Sequence, residues 1–469
     1  MNVLVVTVDQ LRADVLSMLP TPGFDRLAGG SVHLRRHYSQ AAPCAPGRAC
    51  LYTGTYQLNN RVVGNGTPLD DRFDNLARVG RRAGFAPTLF GYTDVGIDPR
   101  QASGADDPRL STYEEVLPGF DVELDLREDC GPWLAWLGSL GHDVSGGAVQ
   151  ALRTEPDRPA EHGITAFAVD RFVEWAGRQD APWFAHLSLL RPHPPYAAAG
   201  HWATAFDPDE VGLPIRPADL RHPFHDVALS VSGAPADEAK LRRLRAQYLG
   251  MVADVDDQLG RVWDAIDWDD TFVVLTSDHG EQLGDHGLVG KLGWFEASYH
   301  VPAFVRDPRR PGGHGTVVDA FTENVDVLPT LCEALDMPVP AQCDGLPLTP
   351  FLDCEAPPWW RTAAHWEFDW RLLRPDRVAA GAGAWPWDRR LDRQSLAVLR
   401  TDAAAFVQFA DGDSLGFDLA ADPTWRTPLV DPVALYDLAR EMLAWRAEHA
   451  DRTHTGFVLV DGGVGRWPL

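Results

Sequence analysis

The chain has 469 residues, enough for one large domain and a smaller one, and 45% of them are apolar, enough to bury a sizeable core. Its 42 basic and 67 acidic side chains give a net charge of −25, which argues against nucleic acid or an anionic membrane surface as partner, since both need basic patches. An anionic small molecule stays admissible, because a few convergent cations and a metal ion set the local field whatever the total.

No basic leader or cleavage site precedes the first strand, and no apolar run reaches membrane-spanning length. The six cysteines (Cys44, Cys50, Cys130, Cys332, Cys343, Cys354) show neither a disulfide framework nor a C-x-x-C metal pattern, so the expectation is a cytoplasmic enzyme.

Asn2 to Val8 is valine-rich and reads as a parallel strand buried on both faces. It ends at Asp9-Gln10-Leu11-Arg12, and the carboxyl end of a central strand is where open α/β sheets place their ligands. The plainer reading of Asp9 is a helix cap. Ser31 to Ser39 is a second short strand that delivers APCAPGRACLYTG, in which Cys44, Pro46 and Arg48 form C-x-P-x-R. Pro46 fixes φ and removes a donor, and Gly47 loosens the next position. Cys44 is therefore expected on a shaped turn, with a helix continuing over Ala49 to Thr53. Such a turn aims backbone N–H groups and the Arg48 guanidinium at whatever Cys44 holds, which suits an anion; the alternative is a capped helix start with a buried cysteine.

Asn59, Asn60 and Asn65 lie in a polar connection, where Asn65 precedes Gly66 as a left-handed turn residue would. A helix over Asp74 to Gly84 and a strand over Ala86 to Tyr92 follow, opening into Tyr92-Thr93-Asp94. Residues 101–163 have weak periodicity and read as loops and short helices laid over the site. Ile164 to Gln179 is a helix and Trp183 to Leu190 a strand, ending in Arg191-Pro192-His193-Pro194-Pro195. A histidine held between prolines has few backbone options and is pre-positioned. The apolar positions of Lys240 to Ile266 alternate steps of three and four, as a helical face requires; Asp254, Asp256 and Asp257 are assigned to its solvated side.

Thr271 to Thr276 is a buried strand that stops at Ser277-Asp278-His279-Gly280-Glu281. Asp278 and His279 offer adjacent oxygen and imidazole ligands, Gly280 permits a tight backbone, and neighbouring parallel strands would bring the pair to Asp9. Lys291 lies in GLVGKLGWFEASYHVP, before a strand over Val301 to Arg306 and a helix over Val325 to Ala334. Around Pro347 to Trp360 the composition shifts to proline and tryptophan, which divides the chain into 1–355 and 356–469. The second part carries strands over Ser395 to Arg400 and Ala404 to Phe409, and a helix over Pro432 to Glu448.

C-x-P-x-R followed by Thr53-Gly54 resembles the signature of the formylglycine-dependent sulfatases of the alkaline phosphatase superfamily. The wider SQAAPCAPGRACLYTGTYQLNNRVVGN, with GYTDVGIDPR, is more similar to the branch of phosphonate monoester hydrolases that also act on phosphodiesters and sulfate esters. Sulfatases carry two successive aspartates where this chain has Asp9-Gln10, as that branch does. The resemblance implies an α/β fold: an alkaline-phosphatase-like, mixed but mostly parallel sheet sandwiched by helices, with a smaller C-terminal antiparallel-sheet subdomain. It also implies oxidation of Cys44 to formylglycine by a formylglycine-generating enzyme. One divalent ion is implied on Asp9, Gln10, residue 44, Asp278 and His279, with manganese or calcium the leading choices and zinc or magnesium open.

By the same resemblance Arg48 orients the nucleophile, and His193 or Lys291, with His193 preferred, protonates the leaving alcohol. Lys291, Asn65, Tyr92 and Thr93 hold the non-bridging oxygens. The family pattern has threonine where this chain has Asp94, a carboxylate that must be turned away or bridged to a cation to admit an anion. A homo-oligomer is implied, as large as a tetramer, with Trp359 to Trp387 as one interface. The function expected is a metal-dependent hydrolase of anionic phosphonate monoesters and phosphodiesters with promiscuous sulfate-ester hydrolysis. A dedicated arylsulfatase and a non-catalytic metal- or anion-binding homologue are the alternatives.

Overall fold

The computed structural model describes residues 1–112, 114–218, 222–371 and 394–450, and the backbone of 457–466. Asn2–Val8 (β1) lies near the middle of an eight-stranded sheet. Its even-numbered residues Leu4, Val6 and Val8 enter one apolar core and Val3 and Val5 enter another, so both faces are covered and the strand reads as a continuous apolar run. The chain continues through Val32–Tyr38 (β2), Ala41–Ala42 (β3), Thr88–Gly91 (β4), Asp121–Asp125 (β5), Phe184–Leu189 (β6), Thr271–Thr276 (β7), Ala303–Arg306 (β8) and Val317–Glu323 (β9). All but β3 join the large sheet, in the order β5-β4-β6-β1-β7-β8-β2-β9. Only β8 runs against the others, pairing antiparallel with β7 and β2. The helices Ile164–Ala176 and Glu238–Ala265 supply the first core, and Cys44–Thr53, Leu76–Arg82 and Val327–Ala334 the second.

The C-terminal part builds a five-stranded sheet from Ala363–Asp369 (β10), Ser395–Thr401 (β11), Ala404–Phe409 (β12) and Ser414–Asp418 (β13), in the order β13-β12-β11-β10-β3. It is antiparallel except at its edge, where β3 pairs parallel with β10 through Ala41 opposite Glu367 and Ala42 opposite Phe368. The helix Pro432–His449 packs Met442 and Trp445 beside this sheet. Strand β10 was not foreseen, because its run AAHWEFD places His365, Glu367 and Asp369 in fully buried positions. Glu367 answers its burial with partners, accepting from Leu58 N at 2.7 Å and Arg446 Nη1 at 3.1 Å.

The structure corrects one further expectation, on the acidic residues of the long helix. Asp254 and Asp256 are buried, not solvated; only Asp257 is exposed. Asp256 accepts from Gly23 N (3.1 Å) and Phe24 N (2.8 Å), capping the helix Pro22–Gly29, and burial pushes the Asp254 carboxyl well above its usual range, with Glu155 adding to it. In the tryptophan-rich stretch Trp366 and Trp370 belong to the core, while Trp359 is 60% exposed. Trp385 and Trp387 lie outside the described residues. Among the described residues no helix is long and apolar enough to cross a membrane.

Candidate active site

Strands β6, β1 and β7 are parallel neighbours, so Arg191–Pro195, Asp9 and Ser277–Glu281 emerge side by side at one edge of the sheet. Facing them is the helix Cys44–Thr53, which begins at Cys44 itself and not at Ala49. Pro46 does not delay it, because the first-turn N–H groups have no intrahelical acceptor to lose. Gly47 has a steric purpose: a Cβ there would overlap the Asp278 carbonyl oxygen and stand 2.9 Å from Ala41 O. The missing side chain lets the helix seat its first turn on the end of β7.

Arg48 is fully buried and organises the charges. Its Nε donates to Asp278 Oδ2 at 2.9 Å and its Nη2 to Asp9 Oδ2 at 3.2 Å, while Nη1 reaches Ser188 Oγ, Tyr52 OH and Tyr92 O at 2.9, 3.1 and 3.1 Å. Tyr92 lies under the guanidinium, 4.3 Å from its ring centre, and donates its hydroxyl to Asp9 Oδ2 at 2.6 Å. Asp94 is the third carboxylate in reach, 3.8 Å from Arg48 Nε, so its charge is bridged to a cation. Burial, opposed by Arg48 and aided by Asp9, pushes the Asp94 carboxyl up to about 7.

Ligand atoms of Asp9, Cys44, Asp278 and His279 all lie within 4.8 Å of one another. Among the described residues Asp9 Oδ1, which is buried, has no hydrogen-bond partner, a costly state that a cation would relieve. His279 Nδ1–H donates to Gly280 O at 3.1 Å, which leaves Nε2 with its lone pair, 3.3 Å from Cys44 Sγ, 3.9 Å from Asp9 Oδ1 and 3.8 Å from Asp278 Oδ2. Two carboxylates, a free imidazole nitrogen and residue 44 suit a divalent ion of hard or borderline character. Burial would raise both carboxyls. His193, Arg48, His279 and Lys291 hold Asp9 well below its usual range, whereas Asp278, repelled by Asp9, stays above. Burial, reinforced by Lys291, drives the His279 imidazole down to about 3, the neutral form a metal needs.

Lys291 Nζ stands 3.4 Å from Cys44 Sγ and donates to the Gln10 amide oxygen at 2.7 Å. Gln10 thus enters the site through Lys291, and its NH2 donates to Glu281. Glu281, which also accepts from Tyr196 OH, Leu283 N and Gly290 N, fixes the loop that carries Lys291. Burial disfavours the Lys291 ammonium, but Cys44, Asp9 and Asp278 outweigh it and raise the group. Burial, with Lys291, pushes the His193 imidazole down to about 4. Its Nδ1–H donates to Pro194 O at 2.9 Å. Asn65 Oδ1 accepts from Ala45 N at 3.0 Å, inside the first turn of the Cys44 helix. Thr93 is committed elsewhere: its hydroxyl donates to Glu115 O and accepts from Leu117 N, both at 2.9 Å.

Ser188, Glu281, Tyr196 and Glu155 were missed. Ser188 is a polar residue on the otherwise apolar end of β6, and Glu281 closes SDHGE, so both left a trace in the sequence. Glu155 left none.

A profile of the sulfatase family matches residues 1–337. The phosphonate monoester hydrolase of Agrobacterium radiobacter superposes over 100% of both chains with a TM-score of 0.91 and 39% identity. That of Silicibacter pomeroyi does so over 99% of both, with a TM-score of 0.89 and 34% identity. The multifunctional alkaline phosphatase superfamily protein PehA of Trinickia caryophylli is 35% identical over 97% of each chain. With its mostly parallel sheet, its smaller antiparallel sheet and this cluster of ligands at one strand edge, the chain belongs to the sulfatase family and is an ester hydrolase of alkaline-phosphatase-like fold.

Proposed function

We propose that this chain hydrolyses phosphonate monoesters and phosphodiesters, and sulfate esters as secondary substrates, with formylglycine made from Cys44 as nucleophile. The observation that carries the reading is similarity along the whole chain to two phosphonate monoester hydrolases. A divalent ion, manganese or calcium before zinc or magnesium, suits Asp9, Asp278, His279 and residue 44, with Gln10 beside them; bound there it neutralises substrate charge and acts as a Lewis acid.

Burial, with Asp9 behind it, holds the Cys44 thiol well above its usual range, which disfavours a thiolate nucleophile. Cys44 to Arg48 are all buried, so the formylglycine-generating enzyme has to meet them before the chain folds. Arg48, pinned between Asp9 and Asp278, orients the nucleophile. Lys291 faces residue 44 and takes a non-bridging oxygen, with Asn65 at the first turn of the Cys44 helix, whereas the hydroxyls expected to help, Tyr92 and Thr93, are already engaged by Asp9 and by Glu115 O and Leu117 N. His193 protonates the leaving alcohol. Its Nδ1–H is committed to Pro194 O, so Nε2 is the atom that gives the proton; the ring is neutral in the free protein, and the incoming anion raises its affinity for that proton. A reducing, cytoplasmic compartment fits the absence of disulfides among the described residues, and assembly into a homo-oligomer, up to a tetramer, belongs to the same proposal.

Two measurements test this. In protein made with a formylglycine-generating enzyme, the tryptic peptide carrying Cys44 is expected at the aldehyde mass. The matured protein is expected to turn over p-nitrophenyl phenylphosphonate faster than p-nitrophenyl sulfate. An intact thiol in fully active protein refutes the nucleophile, and the reverse preference makes the protein an arylsulfatase.

A further inference from the structure

We propose that the buried ion pair Glu155–Arg191 is the positioning device of His193, so that two residues away from the reacting centre set how well the leaving alcohol is protonated. The inference rests on His193 as the acid in the reading above.

Arg191 is 1% exposed and Glu155 2%. All five guanidinium N–H groups are used. Nε donates to Glu155 Oε2 at 2.9 Å, Nη2 to the same oxygen and to Leu152 O at 3.1 Å, and Nη1 to His193 O and Pro195 O, both at 2.8 Å. The two carbonyls held by Nη1 flank Pro194, whose own carbonyl anchors the His193 ring through Nδ1–H. One planar group thereby fixes the peptide units on both sides of the ring's anchor. The other oxygen of Glu155 accepts from Ile164 N at 2.8 Å, at the first residue of the helix Ile164–Ala176. The ring is thus tied through the pair to a rigid element.

A second contact holds the far side of the same stretch. Gly200 has φ +48°, and a Cβ there would stand 2.5 Å from Ala160 N and 2.8 Å from Arg158 O. The chain carrying His193 is therefore pressed on segment 155–163 at both ends. A pair kept only for stability would gain as much from apolar residues of similar volume. The aim of Nη1 at the two carbonyls beside the ring's anchor needs a fixed fork, which lysine lacks.

The test uses the full-length, matured enzyme with Glu155→Gln and Arg191→Lys. The readout is kcat/KM on aryl esters of phenylphosphonate with leaving groups from p-nitrophenol to phenol. p-Nitrophenolate leaves with little help, while phenol needs the proton, so the phenyl ester is expected to lose roughly 10-fold more than the p-nitrophenyl ester. Equal losses on both overturn the inference, since a merely structural defect lowers both alike. Should either variant not fold, the double replacement Glu155→Leu with Arg191→Met restores an apolar contact without the fork; the excess phenyl-ester loss is expected to persist, and its absence overturns the proposal. His193→Ala, measured alongside, separates the two layers. A leaving-group dependence in His193→Ala that the pair variants lack refutes the positioning role. No such dependence in His193→Ala refutes the acid assignment and the inference with it.

Discussion

Arg48 faces three carboxylates, Asp9, Asp278 and Asp94, from a position with no solvent exposure. Removing one partner of such a set leaves the others buried and uncompensated, so Arg48→Ala is expected to cost about 3–5 kcal/mol in denaturant unfolding. Cys44→Ala is a different kind of change. Among the described residues the thiol hydrogen-bonds only to His279 Nε2 and Lys291 Nζ, so stability is expected to stay within about 1 kcal/mol of wild type while turnover vanishes. A variant with near-wild-type turnover contradicts the nucleophile. Asp278→Asn removes a charge that both Arg48 and the ligand cluster use, and metal analysis of the purified variant is expected to find the ion lost. Asp9, Cys44, Arg48, Asp278 and His279 were legible because strand ends and one short motif place them. Glu155 was not, since it meets Arg191 from 36 positions away and only the packed fold brings the two together.

At the scale of elements, the Cys44 helix depends on one missing side chain. Gly47→Ala drives a methyl into Asp278 O, and overpacking of this kind costs about 1–3 kcal/mol. The helix can relieve it only by lifting its first turn off β7, which moves Cys44 away from His279, so kcat is expected to fall more than stability suggests. Gly29→Ala is the control: it too lies in a helix, has nothing within 4 Å of its added Cβ, and is expected to be neutral or stabilising by about 0.5–1 kcal/mol in the same melts. A fall in kcat in both variants, or in neither, contradicts the steric account. Proline and glycine inside the motif suggested a turn because each discourages helix in isolation. In the fold Pro46 occupies the tolerant first turn and Gly47 meets a neighbour, and neither fact is local information. The long helix Glu238–Ala265 shows the same limit in its polar residues: its apolar stripe gives the element, while Asp256 reads as solvated because its partners, Gly23 N and Phe24 N, come from another helix.

For the whole molecule, the composition shift near Pro347 marks where the second sheet approaches in sequence, but the sheet itself reaches back across that point. Its edge strand β3 is Ala41–Ala42, two residues before Cys44, and Glu367 N donates to Gln40 O at 2.9 Å. Tyr38, Trp294, Phe295 and Tyr299 share one core with Trp366, Phe368 and Val398, and Ala41, Cys50 and Tyr56 share another with Leu399, Phe406 and Trp445. A chain ending at Glu355 therefore loses the partner of the strand that delivers Cys44 and exposes two apolar surfaces at once. That fragment is expected to lack both turnover and a single cooperative melt, whereas a composition-based division at 355 expects an active catalytic domain. A fragment 1–355 that melts cooperatively and retains activity would show that β3 holds its place without β10, and that the second sheet covers the site without building it.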